Sequence, residues 1–171
     1  LIGNNNTKPE IILREILHPI PAKFDSGLAK EDKNRIYNLN IFSSVTISAK
    51  DSSYKIIVNE TQKYFPIPLI DYNEAKGWSY GLGLKTNNFT GRNESLVCGL
   101  MFGEDPIYFL RYNNPWIWGD HVGLKINLSN IYSIHPVYDS LKFQKEIFIG
   151  SGFKWDNFHN LLGGFGYIQR K

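Results

Sequence analysis

The sequence is short of cysteine, of charge and of long apolar runs, and each shortage excludes a class of protein. A single cysteine, Cys98, excludes an internal disulfide framework and a multi-cysteine metal site. No apolar run approaches the roughly 18 residues of a membrane-spanning helix, so any passage through a membrane would have to use strands. The formal net charge of +3 is small and the charges are interspersed, which gives no clustered basic face for nucleic acid.

The side chains that could carry chemistry are scattered. The four histidines, His18, His121, His135 and His159, are widely spaced and lack the partners of a metal site. Cys98 stands among apolar neighbours, as a packed residue does and a nucleophile does not. A phosphate-binding glycine loop followed by Lys and Ser or Thr is absent. We therefore expect no enzyme activity, no cofactor and no metal ion.

The composition that is present favours β structure. Aromatic residues make up 15% of the chain and charged residues 20%, against about 25% in an average soluble domain, and there are 15 glycines. Leu1-Ile2-Gly3 reads as the tail of a strand, and the apolar, glycine-rich stretch from Gly163 to Arg170 stops without a turn. We expect the chain to be a segment of a longer polypeptide.

The first third of the chain predicts a small α/β unit. Thr7 and Glu10 have the spacing of a capping box, with Pro9 in the first turn, so a helix should start there. Asp25 offers a second N-cap before apolar residues at helical spacing. Residues 42–50 and 54–58 are β-rich and are separated by a polar turn. The predicted order is strand, helix, helix, strand, strand.

These residues resemble the polypeptide-transport-associated (POTRA) domain. The matching segments are Gly3-Asn4-Asn5-Asn6-Thr7, Ile12-Leu13-Arg14-Glu15, Asp32, Arg35-Ile36-Tyr37-Asn38-Leu39 and Ile41-Phe42-Ser43-Ser44-Val45. Asn40 replaces the usual glycine after the second helix, and Asn tolerates the left-handed conformation that this turn requires. The resemblance covers roughly the first 60 residues.

The remaining two thirds alternate between apolar and small or polar residues, as strands with one apolar face do. Trp78, Tyr80, Leu82 and Leu84 alternate with small or polar residues, and the period of two predicts a strand. The pattern recurs in five further segments: 96–102, 107–112, 122–129, 144–155 and 161–168. Such strands suit a soluble β sandwich with its apolar face inward, or a membrane barrel with that face toward lipid.

A second resemblance favours the barrel. Four segments look like the first strands of the Omp85 (surface antigen D15, BamA-like) barrel: Phe65-Pro66-Ile67-Pro68-Leu69, Gly77-Trp78-Ser79-Tyr80-Gly81-Leu82-Gly83, Asn87-Asn88-Phe89-Thr90-Gly91-Arg92-Asn93 and Asn114-Pro115-Trp116. Asn93 replaces a glycine of the family's hairpin. The two resemblances imply an α+β chain with a β-α-α-β-β POTRA domain (1–62), a connector (63–76) and an antiparallel meander of about six strands from the start of a transmembrane barrel (77–171).

The resemblances also imply a function and a location. They point to the outer membrane of a Gram-negative-type bacterium, with the POTRA part in the periplasm and the protein engaged in assembly or translocation of outer-membrane polypeptides. The implied partners are unfolded outer-membrane polypeptide clients, outer-membrane lipid and accessory lipoproteins. Nucleic acid is not among them.

Three sets of residues follow as candidate sites. An exposed sheet edge at Tyr54, Ile56 and Val58 could accept a client strand by β-augmentation. The strand of Trp78, Tyr80, Leu82 and Leu84 would be the first barrel strand, at a seam that opens. Aromatic residues near strand ends would form the girdles at the membrane interfaces: Trp116, Trp118, Tyr132, Trp155 and Tyr167.

Other functions fit the same residues. A two-partner secretion transporter, or a barrel that anchors an upstream enzyme domain such as a patatin-like lipase, would share these strands. A soluble β-rich binding module is the alternative from another class, and it would fold in water without detergent.

Overall fold

The chain forms two compact units in the computed structural model. The structure describes residues 1–19, 23–50, 53–74, 77–118, 122–134, 141–154 and 160–170. The first unit consists of Leu1–Lys63 together with Asn87–Asn93, and the second of Tyr64–Thr86 together with Glu94–Lys171. Neither unit is therefore one continuous stretch of sequence.

The first unit contains two helices and a two-stranded antiparallel sheet. Its elements are α1 (Pro9–Leu13), α2 (Ser26–Tyr37), β1 (Phe42–Lys50) and β2 (Ser53–Glu60). The α2 helix begins as predicted, because the Asp25 carboxylate accepts hydrogen bonds from the backbone N–H groups of Gly27 and Leu28 at 2.7 and 3.1 Å. The predicted Thr7 cap is wrong. The residue before α1 is Lys8, which makes no side-chain capping bond.

The core of the first unit lies between the helices and one face of the sheet. Its buried side chains come from all four elements and the segment before β1: Ile11, Ile12, Ile36, Ile41, Phe42, Val45, Ile56 and Val58. Asn40, between α2 and β1, has a φ of 58°, as the sequence predicted for the residue that replaces glycine at this turn.

The predicted β-α-α-β-β POTRA fold is wrong. The chain is nearly all antiparallel β, and the order in the first unit is helix, helix, strand, strand. Of the expected first strand only Ile2 remains, as an isolated parallel bridge to Ile57. Gly3 turns the chain after this bridge at a φ of 91°, where a Cβ would lie 1.9 Å from the Val58 carbonyl oxygen.

The second unit is a seven-stranded antiparallel meander. Its strands are β3 (Tyr64–Asn73), β4 (Gly77–Asn87), β5 (Ser95–Phe102), β6 (Ile107–Asn114), β7 (Val122–Ile134), β8 (Leu141–Lys154) and β9 (Asn160–Arg170), and each pairs with the next. Among the described strands, β3 lies at one end of this order and β9 at the other. Strands β4 to β9 coincide with the six alternating segments. The seventh strand, β3, occupies residues expected to be a connector.

Neither helix in the described part of the chain is long and apolar enough to span a membrane.

Candidate functional surfaces

One face of the seven-stranded sheet is apolar and exposed. Directly paired residues share a face, and the register pairs apolar residues across successive strands: Ile70 with Tyr80, Leu100 with Tyr108, Leu110 with Leu128, Leu128 with Ile147, and Ile149 with Phe165. Leu82 is 66% exposed and Phe165 is 93% exposed. We call this surface the apolar face. A soluble β domain would bury such a surface.

A cleft of about 440 Å³ runs along the apolar face where β4, β5 and β6 meet. Leu82 and Leu84 line it from β4, Cys98 and Leu100 from β5, and Leu110 from β6. Its lining is almost entirely apolar. Cys98 is half-buried among these apolar side chains.

The opposite face of the sheet mixes glycine, amide and charged residues with apolar side chains such as Phe109 and Phe148, and we call it the polar face. Gly81 and Gly83 of β4 lie opposite Leu69 and Ile67 of β3, and Arg111 of β6 lies opposite Asn127 of β7. The Asn127 side chain donates a hydrogen bond of 2.6 Å to the Glu146 carboxylate on β8. An amide and a carboxylate on neighbouring strands thus interact on this face.

The proposed seam residues lie one strand away from the edge of the sheet. Trp78, Tyr80, Leu82 and Leu84 are in β4, which is flanked by β3 and β5. The edge strand is β3. Trp78 stacks on Tyr80 at a centroid distance of 6.0 Å and contacts Tyr72 of β3 at 5.0 Å. The β4 side chains therefore contribute to the apolar face. Any function that needs the edge of the sheet would belong to β3.

The predicted girdle residues lie toward the two ends of the strands. Trp116 and Trp118 follow β6 at one end of the sheet. Tyr132 and Tyr167 lie near the ends of β7 and β9, which the register places at the opposite end. Trp155 lies outside the described residues.

The predicted client edge on β2 is largely taken by the chain itself. The Ile2 backbone donates a hydrogen bond to the Ile56 carbonyl and accepts one from the Val58 N–H, both at 2.9 Å. The Ile56 and Val58 side chains are buried in the core. Tyr54 instead turns its hydroxyl to Asp32. A strand could not pair with β2 at Ile56 and Val58 without displacing Ile2.

A polar network that the sequence did not predict surrounds Glu60. Its carboxylate accepts hydrogen bonds from the Thr7 hydroxyl at 2.6 Å, the Thr7 N–H at 2.6 Å and the Asn6 N–H at 3.1 Å. The Asn88 amide donates to the Thr7 hydroxyl at 2.7 Å, and the Lys8 N–H donates to the Gly91 carbonyl at 2.9 Å. The network joins the start of the chain to residues 87–93.

The environment of Glu60 favours its ionised form. Burial alone would raise the pKa of this carboxyl, but the hydrogen bonds from Thr7 and Asn6, and the charge of Lys63, outweigh burial and hold the pKa below its usual range. Glu60 therefore accepts these bonds as a carboxylate.

A second buried polar group lies between α2 and β2. Asp32 is fully buried and accepts hydrogen bonds from the Tyr54 hydroxyl and the Leu17 N–H, both at 2.7 Å. Burial and the neighbouring Asp32 raise the pKa of the Tyr54 hydroxyl well above its ordinary value. The His18 ring contacts the Tyr54 ring at a centroid distance of 4.7 Å and a tilt of 36°, and it accepts a hydrogen bond from the Asp25 N–H at 3.0 Å. Each of these polar side chains has a hydrogen-bond partner within the group, so we interpret the group as structural.

Across the residues that the structure describes, no group of three or more His, Cys, Asp or Glu side chains is arranged to hold a metal ion.

Comparison with known proteins identifies the fold. The sequence matches no known protein family and no curated protein. Among solved structures, the chain is similar to the crystal structure of BamA from Haemophilus ducreyi lacking POTRA domains 1–3, with a TM-score of 0.62 and 21% sequence identity. The match covers 98% of this chain and 34% of that structure, so the chain spans about a third of its length. The chain shares its fold with part of BamA.

Proposed function

We propose that this chain belongs to an Omp85-type protein that assembles or inserts polypeptides into the outer membrane. The observation that carries the proposal is the apolar face, which runs across β3 to β9 of a sheet whose fold resembles that of BamA. A face of this kind is stable against lipid and costly in water. The polar groups on the other face would line a wet interior.

The proposed location is the outer membrane, and the proposed partners are lipid and unfolded outer-membrane polypeptides. No chemical step or cofactor is part of the proposal. The driving force would be formation of strand hydrogen bonds in a medium without water, together with apolar burial.

Two measurements on the native full-length protein test the proposal. An antibody against residues 8–63 should detect a heat-modifiable band in the outer-membrane fraction, with a mass well above 19.7 kDa. A soluble species near 19.7 kDa would contradict a membrane role and favour the soluble binding module.

The second measurement separates assembly from a merely anchoring barrel. Proteoliposomes that contain the full-length protein should accelerate the folding of a urea-unfolded eight-stranded outer-membrane polypeptide, measured by its heat-modifiable gel mobility. Liposomes that contain an unrelated barrel of similar size are the control. Equal rates in the two preparations would leave a barrel with another role.

A further inference from the structure

A row of four polar residues crosses the apolar face on neighbouring strands. Tyr108 of β6 lies opposite Asn130 of β7, Asn130 lies opposite Lys145 of β8, and Lys145 lies opposite Gln169 of β9. Directly paired residues share a face of the sheet, and these four share it with the apolar pair Leu110 and Leu128. We call the four residues the polar row. None of them is acidic.

The neighbouring row, two residues closer to the middle of the strands, is apolar or aromatic. It consists of Leu110, Leu128, Ile147 and Tyr167, in the same four strands and the same register. The apolar character of the face therefore changes at corresponding positions of four strands. Polar residues scattered at random over the sheet would not coincide in this way.

The polar row has the position of a membrane interface if the apolar face meets lipid. On the same face of β7, Val122, Leu124, Ile126 and Leu128 precede Asn130. A strand rises about 3.4 Å per residue and tilts by about 40° in a barrel, so the stretch from Val122 to Asn130 spans about 20 Å of membrane depth. The apolar band of outer-membrane barrels is about 25 Å tall, which puts the row near one of its borders.

The side chains of the row offer hydrogen-bond donors and one positive charge. Asn130 is only 4% exposed, and its amide donates a hydrogen bond of 2.8 Å to the Pro106 carbonyl, which fixes the centre of the row. Tyr108, Lys145 and Gln169 are exposed, and they carry a hydroxyl, an ammonium and an amide. The row is therefore complementary to an anion that accepts several hydrogen bonds.

The carboxylate next to Lys145 in sequence lies on the other side of the sheet. Glu146 is opposite Ser129 of β7, on the polar face, and its carboxylate accepts a hydrogen bond of 2.6 Å from the Asn127 amide. Glu146 is thus held by its own partner on the polar face, and the charge that the row presents on the apolar face is positive.

We infer that the polar row binds the phosphate of an anionic lipid headgroup, with Lys145 as its charged partner and Tyr108 and Gln169 as flanking donors. The inference rests on the proposed function, because it requires the apolar face to meet lipid, and it adds a lipid class and a site. The acyl chains of the bound lipid would lie on the apolar row. Strands β6, β7 and β8 are each paired on both sides, so the site does not depend on an edge of the sheet.

The test measures which lipid lies beside Lys145 in the full-length protein. A photo-crosslinking amino acid replaces Ile147, which is exposed on the same face of β8, and the protein is placed in vesicles of dioleoylphosphatidylcholine. Separate samples contain a trace of radiolabelled dioleoylphosphatidic acid or of radiolabelled dioleoylphosphatidylcholine. The ratio of the two captured labels should be about 5, the preference expected for one lysine beside an anionic headgroup.

Three variants assign the preference to the row. Lys145→Gln should bring the ratio of captured labels close to that of an unselective surface, and Lys145→Arg should keep the wild-type ratio because the charge remains. Lys125→Gln is the matched control, since it removes an exposed lysine from the polar face of β7, where Lys125 lies opposite Gly150. It should keep the wild-type ratio. Heat-modifiable mobility verifies that each variant is folded.

The outcomes separate this inference from the proposed function. If neither lipid is captured at position 147, the apolar face does not meet lipid, and both proposals fail. If both lipids are captured equally, or if Lys145→Gln and Lys125→Gln give the same ratio, only the headgroup site is overturned.

A competition experiment distinguishes a lipid headgroup from free phosphate. Inorganic phosphate at about 10 mM should leave the ratio unchanged relative to sodium chloride of equal ionic strength, because the free ion has no acyl chains to hold it at the apolar face. Loss of the preference in phosphate alone would assign the row to the free ion and overturn the lipid as its ligand.

Discussion

At the scale of single residues, Glu60 links the end of β2 to the start of the chain. Its carboxylate accepts from two backbone N–H groups and one hydroxyl near the start of the chain. Bonds to an ionised acceptor are stronger than neutral ones, and removing the charge leaves the same donors with a weaker partner. Glu60 should therefore contribute more to the free energy of unfolding than an ordinary exposed glutamate does.

We predict that Glu60→Gln destabilises the first unit by about 1–2 kcal/mol at neutral pH. The readout is native-state hydrogen exchange of amides in β2 and residues 4–13, which reports local stability in the full-length protein. Glu31→Gln, an exposed position in α2, is the matched control and should change little. Equal exchange in the two variants would contradict the assigned role.

The same residue predicts a pH dependence. Its folded pKa lies below the unfolded value of about 4.3, so its contribution to stability is complete above that value and is lost as the pH falls through the folded pKa. The protection factors of β2 amides, which correct exchange for its intrinsic slowing at lower pH, should fall on acidification in the wild type. In Glu60→Gln this acid-dependent component should be absent.

At the scale of elements, the β4–β5 turn depends on asparagines in the left-handed conformation. Asn88 has a φ of 54°, donates to Thr7 and accepts from the Asn93 N–H at 2.8 Å. Asn88→Gly removes both bonds but keeps the backbone unstrained, whereas Asn88→Ala also places a Cβ in the left-handed region. We expect Ala to be the less stable variant by about 1–2 kcal/mol, measured by exchange in residues 4–13. Equal stabilities would show that the backbone conformation contributes little.

Two proline substitutions can test which residues of β3 point their N–H groups toward β4. The hydrogen bond from the Asn87 N–H to the Lys63 carbonyl sets the phase of the β3–β4 ladder. Leu69 therefore points its N–H toward β4, and Ile70 points its N–H away from β4. Leu69→Pro should therefore break a ladder bond and raise hydrogen exchange across β3 and β4, while Ile70→Pro should leave that exchange near the wild-type level. The two substitutions are adjacent and control each other. The reverse pattern, with Ile70→Pro disruptive and Leu69→Pro tolerated, would show that the even-numbered residues point their N–H groups toward β4.

Period-two alternation predicted the segments of β4 to β9, because each has an apolar face and a small or polar face. It missed β3, because Pro66 and Pro68 read as a break in a strand when their position at an edge is unknown. It also missed the Glu60 network, whose members are 53 and 81 residues apart in sequence and carry no local pattern. Of the first strand, whose tail the sequence placed at Leu1-Ile2-Gly3, the structure has only the bridge from Ile2 to Ile57.

At the scale of the whole molecule, a charged side chain should destabilise the protein far more on one face of the large sheet than on the other. Leu82 lies on the apolar face, and Ile131 lies on the polar face opposite Gln144. If the apolar face meets lipid, Leu82→Lys should destabilise the membrane form by about 2–4 kcal/mol, while Ile131→Lys should be far milder. The measurement is the fraction of heat-modifiable protein in the outer-membrane fraction. Equal losses would contradict the assignment of the faces.

The divided sequence of the first unit has a consequence for how the protein is made. A polypeptide emerges from the ribosome or from an export channel with its N-terminus first, and Thr7 and Lys8 find Asn88 and Gly91 only some eighty residues later. Residues 1–63 cannot complete their unit until residues 87–93, which follow β4, have been synthesised. The first unit is therefore completed only after strands β3 and β4 of the second unit have been made.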